Sequence, residues 1–283
     1  MSSYAIPQTD YVRLVKRVLR TPKGILFLLL GFITLLAIPG QGAAQAVPHV
    51  LSAMAAAAVA DVVVQRLGRK VLIFPLGGLL TGLIIALVLA PQEPWIVPVA
   101  ASVLAVASKQ LFRTRLANVF NPAALALVMA TVLWDSGQSW WGALPDFGWA
   151  AVPVLLVTGV FMADRIKKLP LVLAFLGPYF AWFTVASFLG QAGGVAEIFR
   201  APDLQAVLFF AFFMVDDPPT CQVRYRDQVA FGVIVAASCY LIFQAFGWVY
   251  FLPAGLLVGN AWEGLRKRSV GRRVRVASQP ALA

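Results

Sequence analysis

Long apolar runs, separated by short polar connections, dominate the chain from one end to the other. A membrane-spanning helix needs about 20 mostly apolar residues, and runs of nearly that length recur with little polar sequence between them. Ten such runs lie at residues 24–39, 47–65, 71–90, 94–110, 118–134, 149–164, 170–189, 204–215, 229–246 and 248–262. The pattern predicts an all-α, polytopic integral membrane protein with about ten transmembrane helices.

The composition supports this prediction and removes several classes of function. Of the 283 residues, 60% are hydrophobic and 12% are charged, whereas a soluble domain carries about 25% charged residues. Two cysteines and one histidine supply neither a disulfide framework nor the ligand sets of zinc or iron–sulfur sites, so no metal site is predicted. The sequence contains no GxGxxG, P-loop or CxxC motif, so NADH oxidation and ATP hydrolysis are not expected of this chain.

The positive charges alternate in position along the chain. The net charge is +11, and of the 23 Lys and Arg residues all but Arg200 lie at the termini or within or next to every second connection between the apolar runs. Positive residues accumulate in short cytoplasmic loops. We therefore predict an inner (plasma) membrane location with both termini in the cytoplasm. The basic charge is assigned to this topology and to contact with the lipid bilayer, and no nucleic-acid partner is expected.

An internal repeat divides the chain into two halves. Phe120–Val128 resembles Phe251–Val258, and a repeat of five helices crosses the membrane in the opposite sense in its second copy. Two inverted five-helix repeats usually place a binding site near the midplane where they meet. The predicted parts are a cytoplasmic amphipathic basic segment, the first repeat, an outer loop, the second repeat and a basic cytoplasmic tail, at residues 1–23, 24–134, 135–148, 149–265 and 266–283.

The eighth apolar run is too short to cross a bilayer. Leu204–Val215 would extend about 18 Å as a helix, against about 30 Å of hydrocarbon. Acidic side chains and irregular backbone at membrane depth mark candidate ion, proton or cofactor sites. The alternative is an ordinary cytoplasmic loop whose carboxylates pair with Arg224 and Arg226. The residues of this candidate polar break are Asp216, Asp217, Pro218 and Thr220.

Polar and small residues in the first half are further candidates, here for cofactor binding. Thr81 and Gly82 lie within the third run, Lys109 ends the fourth, and Asn121 and Pro122 open the fifth. A glycine lets a flat ligand or a second helix approach closely, so helix packing is the alternative for Gly82. Asn121 can instead cap its helix, and Lys109 can simply complement the dipole at a helix C-terminus.

Four ordered motifs resemble one family of membrane proteins. The motifs are Thr81–Leu83, Ser108–Gln110, Asn118–Ala124 and Phe212–Thr220. They are similar to motifs of the D subunit of Rnf-type electron-transport complexes and the B subunit of the sodium-pumping NADH:quinone oxidoreductase, with a resemblance from about residue 50 to 262. This resemblance implies a protein of about ten helices in two inverted halves. Such a protein carries flavin and passes electrons through the bilayer with movement of sodium or protons, alongside redox or membrane-complex protein partners.

The chain departs from this family in its outer loop. The resemblance implies a threonine there that carries FMN through a phosphoester, but Leu144 stands at that position. Leucine has no hydroxyl, so covalent FMN is not expected. What remains is noncovalent flavin (riboflavin or FMN) or quinone. Trp140 and Trp141 are candidates for stacking on such a ring, and the alternative is that they anchor the loop at the membrane interface.

Three functions are compatible with these features. The first is a membrane electron-transport subunit of the Rnf-D-like type, with noncovalent flavin or quinone, which predicts a yellow purified protein. The second is a transporter or channel for a small solute or cation on the same inverted-repeat fold, motivated by Leu144 and the short eighth run. The third is an assembly subunit that docks a partner through its basic cytoplasmic surface.

Overall fold

The computed structural model of the chain describes residues 20–68, 73–112, 118–189, 196–216, 224–247 and 249–277, with side chains as far as Lys267. Within these ranges the chain is helical without a β-strand, and each α-helix overlaps one predicted apolar run. The helices are α1 (Pro22–Gln41), α2 (Ala43–Leu67), α3 (Leu76–Val88), α4 (Ile96–Leu111), α5 (Pro122–Trp134), α6 (Ala151–Arg165), α7 (Leu169–Phe188), α8 (Ala201–Phe210), α9 (Tyr225–Phe246) and α10 (Phe251–Ala277). The all-α membrane fold is confirmed.

The helices differ in whether they are long enough to cross a membrane. Five are long and apolar enough: α1, α2, α7, α9, and α6 together with the short turns that precede it from Trp141. Helices α3, α4, α5 and α8 are apolar but shorter. Helix α10 runs without a break to Ala277, so the predicted cytoplasmic tail starts as a continuation of the last helix. The predicted amphipathic segment lies, up to residue 19, outside the described residues.

Helix α8 changes its hydrogen-bonding pattern directly before Asp216, the first residue of the polar break that the sequence predicts. Residues Ala211–Val215 form a π-helical segment directly after α8, and we call it the π segment. A π turn inserts one extra residue into a helix and is common at functional sites. Every side chain of the π segment is buried, so this irregular backbone is enclosed by protein, as the membrane interior requires.

Small residues bring helices α2 and α3 into close contact. A Cβ atom at Gly82 would lie 2.5 Å from the backbone oxygen of Ala53, and one at Gly78 would lie 2.8 Å from that of Ala57. Only glycine permits this separation, since any side chain would overlap the backbone of α2. The two glycines thus form the packing face of α3 and turn Thr81, between them, toward another side of the helix.

The second half is packed by aromatic rings instead. Phe175 of α7 lies with its ring centroid 5.4 Å from that of Phe210 and 5.5 Å from that of Tyr179. Tyr179 in turn lies 4.7 Å from Phe183. All four rings are fully buried, and offset or edge-on contacts of this kind contribute beyond the burial of their area. Helices α7 and α8 are therefore joined by large side chains where α2 and α3 are joined by glycine and alanine.

The predicted outer loop folds into the bundle and closes the C-terminal end of α3. The indole N–H of Trp141 donates to the carbonyl of Ala86 at 2.6 Å, and the backbone N–H groups of Ser139 and Trp140 donate to the carbonyl of Val88 at 3.0 and 3.1 Å. The last carbonyls of a helix have no partner within it, so the loop supplies them. Trp141 is fully buried and is a core residue rather than an anchor at the membrane surface.

Candidate functional site

A cavity of about 470 Å³ lies between the two halves, within the range of about 300–1,000 Å³ typical of small-molecule sites. It is formed by the first residues of α1, α3 and α5, the last turns of α2, α4 and α6, and the π segment. These ends share one side of the bundle, the side that the sequence predicts to be cytoplasmic, and we call it the inner end. Five residues predicted as site residues line the cavity: Thr81, Lys109, Asn121, Pro122 and Asp216.

Lys109 is held against the first turns of α3. Its ammonium nitrogen Nζ donates to the hydroxyl oxygen of Thr81 at 3.0 Å and to the carbonyl of Gly77 at 3.3 Å. The Thr81 hydroxyl donates to the same carbonyl at 2.8 Å, so its oxygen is oriented to accept from Lys109. Two groups of a neighbouring helix thus hold the Lys109 ammonium on the cavity wall. Lys109 therefore contacts another helix as well as lying at the C-terminus of its own.

Asn121 caps helix α5, as the alternative interpretation of this residue expects. Its side-chain oxygen Oδ1 accepts from the backbone N–H of Ala124 at 3.0 Å, and Pro122 occupies the first helical position, where a missing N–H has no cost. The side-chain nitrogen Nδ2 also donates to the carbonyl of Met214 at 3.0 Å. Asn121 therefore joins the first half to the π segment at the cavity wall.

Asp216 ends the π segment inside the protein. It is 3% exposed and lines the cavity together with Phe213. Asp216 thus lies buried beside the cavity, and both interpretations of the polar break, a functional site and a cytoplasmic loop paired with Arg224 and Arg226, stay predictions. Asp217, Pro218 and Thr220 lie outside the described residues, so their part in this site stays a prediction.

The other predicted site residues lie away from the cavity. Gly82 is in the contact between α2 and α3. Trp140 packs edge-on against Phe209 and Phe210, with centroid distances of 6.4 and 6.2 Å. Leu144 is 1% exposed and adopts left-handed backbone angles, φ 62° and ψ 47°. Neither Trp140 nor Trp141 shares the cavity with Lys109, so a stacking role for them stays a prediction without support from this arrangement.

Several cavity residues were missed by the sequence reasoning. Asp61 of α2 is the clearest, because a single carboxylate inside an apolar run is by itself a signal for a functional position. Its side chain lies beside Gln65, whose amide oxygen accepts from the backbone N–H of Ile73 at 2.8 Å. Lys23 also lines the cavity, but nothing in its local sequence distinguishes it from other basic residues. Phe213 lines the cavity as well; it lies in the Phe212–Thr220 motif but was not predicted as a site residue.

Comparison with known proteins decides the family. A model of the NQR2, RnfD, RnfE family matches residues 12–191, which is more than half of the chain and includes α1 to α7. The chain belongs to this family. The family match contains Thr81, Lys109 and Asn121, and ends before Asp216.

A curated relative agrees with the family match. The D subunit of the ion-translocating oxidoreductase complex of Haemophilus influenzae (strain PittGG) is 26% identical over 132 residues, which cover 46% of this chain. The match spans 33% of that relative's length. This NQR2, RnfD, RnfE family member is therefore similar to a protein of a redox complex over less than half of either chain.

Proposed function

We propose that this NQR2, RnfD, RnfE family member is a membrane electron-transport subunit that holds a noncovalent flavin or a quinone in the inner cavity. The observation that carries the proposal is the convergence of Thr81, Lys109, Asn121 and Asp216 on one cavity of ligand size. A bound flavin or quinone would accept and release the electrons. The proposed redox partner is a protein at the cytoplasmic face or in a membrane complex. In this proposal the chain lies in the inner membrane with both termini in the cytoplasm.

The cavity wall fits a flat ring system. Leu80, Ile84 and Phe213 supply apolar surface, and Lys109 and Thr81 supply the nearest polar groups. An apolar wall with a few placed polar groups is the usual composition of a small-molecule site. The Lys109 ammonium can donate to a ring carbonyl, and it stabilises negative charge that develops there on reduction. Thr81 and the Gly77 carbonyl orient this donor.

The charges of the cavity favour a ligand without a strong net charge. Two cationic side chains, Lys23 and Lys109, face two acidic ones, Asp61 and Asp216. Opposite charges in one site offset each other, so a ligand phosphate would meet carboxylates as well as ammonium groups. Riboflavin or a quinone head group therefore fits this balance better than FMN.

Replacement of Thr81 by valine is expected to weaken riboflavin binding about tenfold, since one hydrogen bond to a charged group is lost and the Lys109 ammonium loses one of the groups that orient it. The purified chain in detergent is titrated with riboflavin, FMN and a short-chain quinone, with flavin fluorescence or absorbance as the readout. Thr184→Val is the matched control, because the Thr184 hydroxyl donates to the Phe180 carbonyl at 2.7 Å within α7, outside the cavity. Absence of binding of all three ligands to the wild-type chain would contradict the proposal.

Leu144→Thr is expected to remain without covalent flavin. The side chain at this position is buried and its backbone is left-handed, a conformation that a β-branched residue adopts only with strain. A hydroxyl placed there is both enclosed and misdirected for a flavin transferase. Co-expression with such a transferase, followed by fluorescence of the denatured protein on a gel, checks this. A fluorescent band in the variant, absent from the wild type, would show that the loop opens.

A further inference from the structure

The N-terminus of α5 is capped by two asparagines from different halves of the chain. Asn121 supplies the usual side-chain acceptor for the third helical N–H, that of Ala124. In a capping box the side chain at that third position would reach back to the N–H of the cap residue, but Ala124 has no polar group. Asn260 of α10 takes this part, because its Oδ1 accepts from the backbone N–H of Asn121 at 2.8 Å.

This contact continues to the cavity through a chain of hydrogen bonds. Asn260 holds the backbone of Asn121, and the Asn121 amide holds the carbonyl of Met214 in the π segment. Phe213, which directly precedes Met214, lines the cavity. Asp216, two positions after Met214, lines it as well. The position of both side chains thus depends on where Asn121 lies.

Burial of the Asn260 side chain lowers the stability of the folded chain. It is 1% exposed, and its side-chain nitrogen has no hydrogen-bond partner among the described residues. A buried donor left unsatisfied costs about 1–3 kcal/mol, and the preceding positions of α10, Leu256 to Gly259, are apolar. The benefit of the amide must therefore come from its oxygen, whose partner is the N–H of Asn121.

We propose that Asn260 is a positioning residue of the inner cavity, which acts through Asn121 to fix the π segment with Phe213 and Asp216. As a role in ligand binding, this inference rests on the proposed function; as a role in the geometry of the π segment, it can be tested without a ligand. Asn260 lies outside the residues matched by the family model, and it connects the second half of the chain to a site whose polar groups come mainly from the first.

The ligand-free test is hydrogen exchange measured by mass spectrometry on the full chain in detergent. Asn260→Leu keeps the size of the side chain and removes the acceptor. The exchange rate is expected to rise about tenfold in peptides that cover 118–125 and 207–216. This is the increase expected from the loss of one buried hydrogen bond. Peptides from α7 should be unchanged. Asn260→Asp restores an acceptor oxygen and should recover protection in both peptides.

A matched control separates positioning from loosening of α10. Leu256 lies one turn before Asn260 and is fully buried, so Leu256→Ala weakens the packing of α10 while the acceptor oxygen of Asn260 stays in place. It should raise exchange in α9 and α10 and leave the peptide covering 207–216 as in the wild type. Wild-type exchange of this peptide in Asn260→Leu, or equal exchange in Asn260→Leu and Leu256→Ala, would overturn the inference.

Riboflavin titration supplies the second readout. Asn260→Leu should raise the Kd for riboflavin about tenfold with the same amount bound at saturation, and Asn260→Asp should return it toward the wild-type value. Faster exchange in the π segment of Asn260→Leu, together with no binding of riboflavin, FMN or the quinone by the wild type, would contradict the proposed function and support the positioning role. Riboflavin binding that is identical in the wild type and in Asn260→Leu, despite faster exchange, would overturn the role in binding.

Discussion

Replacement of Gly82 by alanine is expected to reduce strongly the amount of folded protein. The new Cβ atom would lie 2.5 Å from the backbone oxygen of Ala53, and neither backbone can yield without separating α2 from α3. Overpacking of this kind costs about 3 kcal/mol, a large share of the stability of most proteins. Thermal unfolding in detergent, followed by the loss of monodisperse protein in size-exclusion chromatography, measures the effect.

A second glycine provides the control for this substitution. Gly31 lies inside α1, and a Cβ atom there would meet no atom of another element within 4 Å. Gly31→Ala should leave the unfolding temperature unchanged or raise it, since alanine favours a helix by up to about 1 kcal/mol over glycine. Equal unfolding temperatures for Gly82→Ala and Gly31→Ala would show that α2 and α3 do not pack this closely.

Replacement of Arg266 by alanine is the second substitution with a large expected effect. Arg266 binds the Glu263 carboxylate through Nε at 2.7 Å and Nη2 at 3.0 Å. It also binds Asp227 of α9 through Nη1 at 2.8 Å. The bond to Glu263 raises the pKa of Arg266, so the guanidinium stays charged. Because the Glu263 side chain is 3% exposed, its loss of this partner should cost about 3 kcal/mol in unfolding free energy.

Two further variants identify the cause of that loss. In Arg266→Ala/Glu263→Gln the buried carboxylate charge that has lost Arg266 is gone, so part of the stability should return. Lys267 also contacts Glu263, at 3.4 Å, but its side chain is 45% exposed, and an exposed ion pair contributes less than about 1 kcal/mol. Lys267→Ala should therefore unfold close to the wild type. A double variant less stable than Arg266→Ala alone would contradict this account.

The positions of the helices could be predicted from the sequence because the bilayer imposes them. An apolar run must satisfy its backbone polar groups by its own hydrogen bonds, so each of the ten runs overlaps one α-helix of the described residues. The π segment lies inside the short eighth run, and hydropathy did not predict it. Hydropathy alone could not define the end of α10, which continues into the basic tail because Lys and Arg favour a helix as much as most apolar residues do.

The contacts of the site depended on the register between helices, which the sequence does not contain. Lys109 and Thr81 belong to neighbouring helices, and their hydrogen bond requires α3 and α4 to be aligned at that level. The same applies to Gly82, for which helix packing and ligand contact were both open until its position opposite Ala53 was known. Asn260 did carry a signal, because a lone amide in an apolar helix is a candidate for an interhelical hydrogen bond.

The outer loop was the least predictable part. Its tryptophans are typical of a membrane interface, yet Trp141 is fully buried against Ala86. The reason is that α3 ends at Val88, well short of the length of a full crossing. The last carbonyls of α3 therefore need hydrogen-bond donors from elsewhere in the chain. Which segment supplies these donors depends on how the whole bundle packs.

The outer loop covers the C-terminal end of α3, and this affects which species could cross the molecule there. Beyond the cavity, Ile85 to Leu89 are completely enclosed, and the loop covers the end of that stretch. An ion or solute would need a hydrated route through this plug, because bare charge in such surroundings is prohibitively costly. An electron needs no water and no opening. The proposed electron transfer therefore requires no water-filled path along this stretch of α3, whereas the transport of an ion or solute would require one.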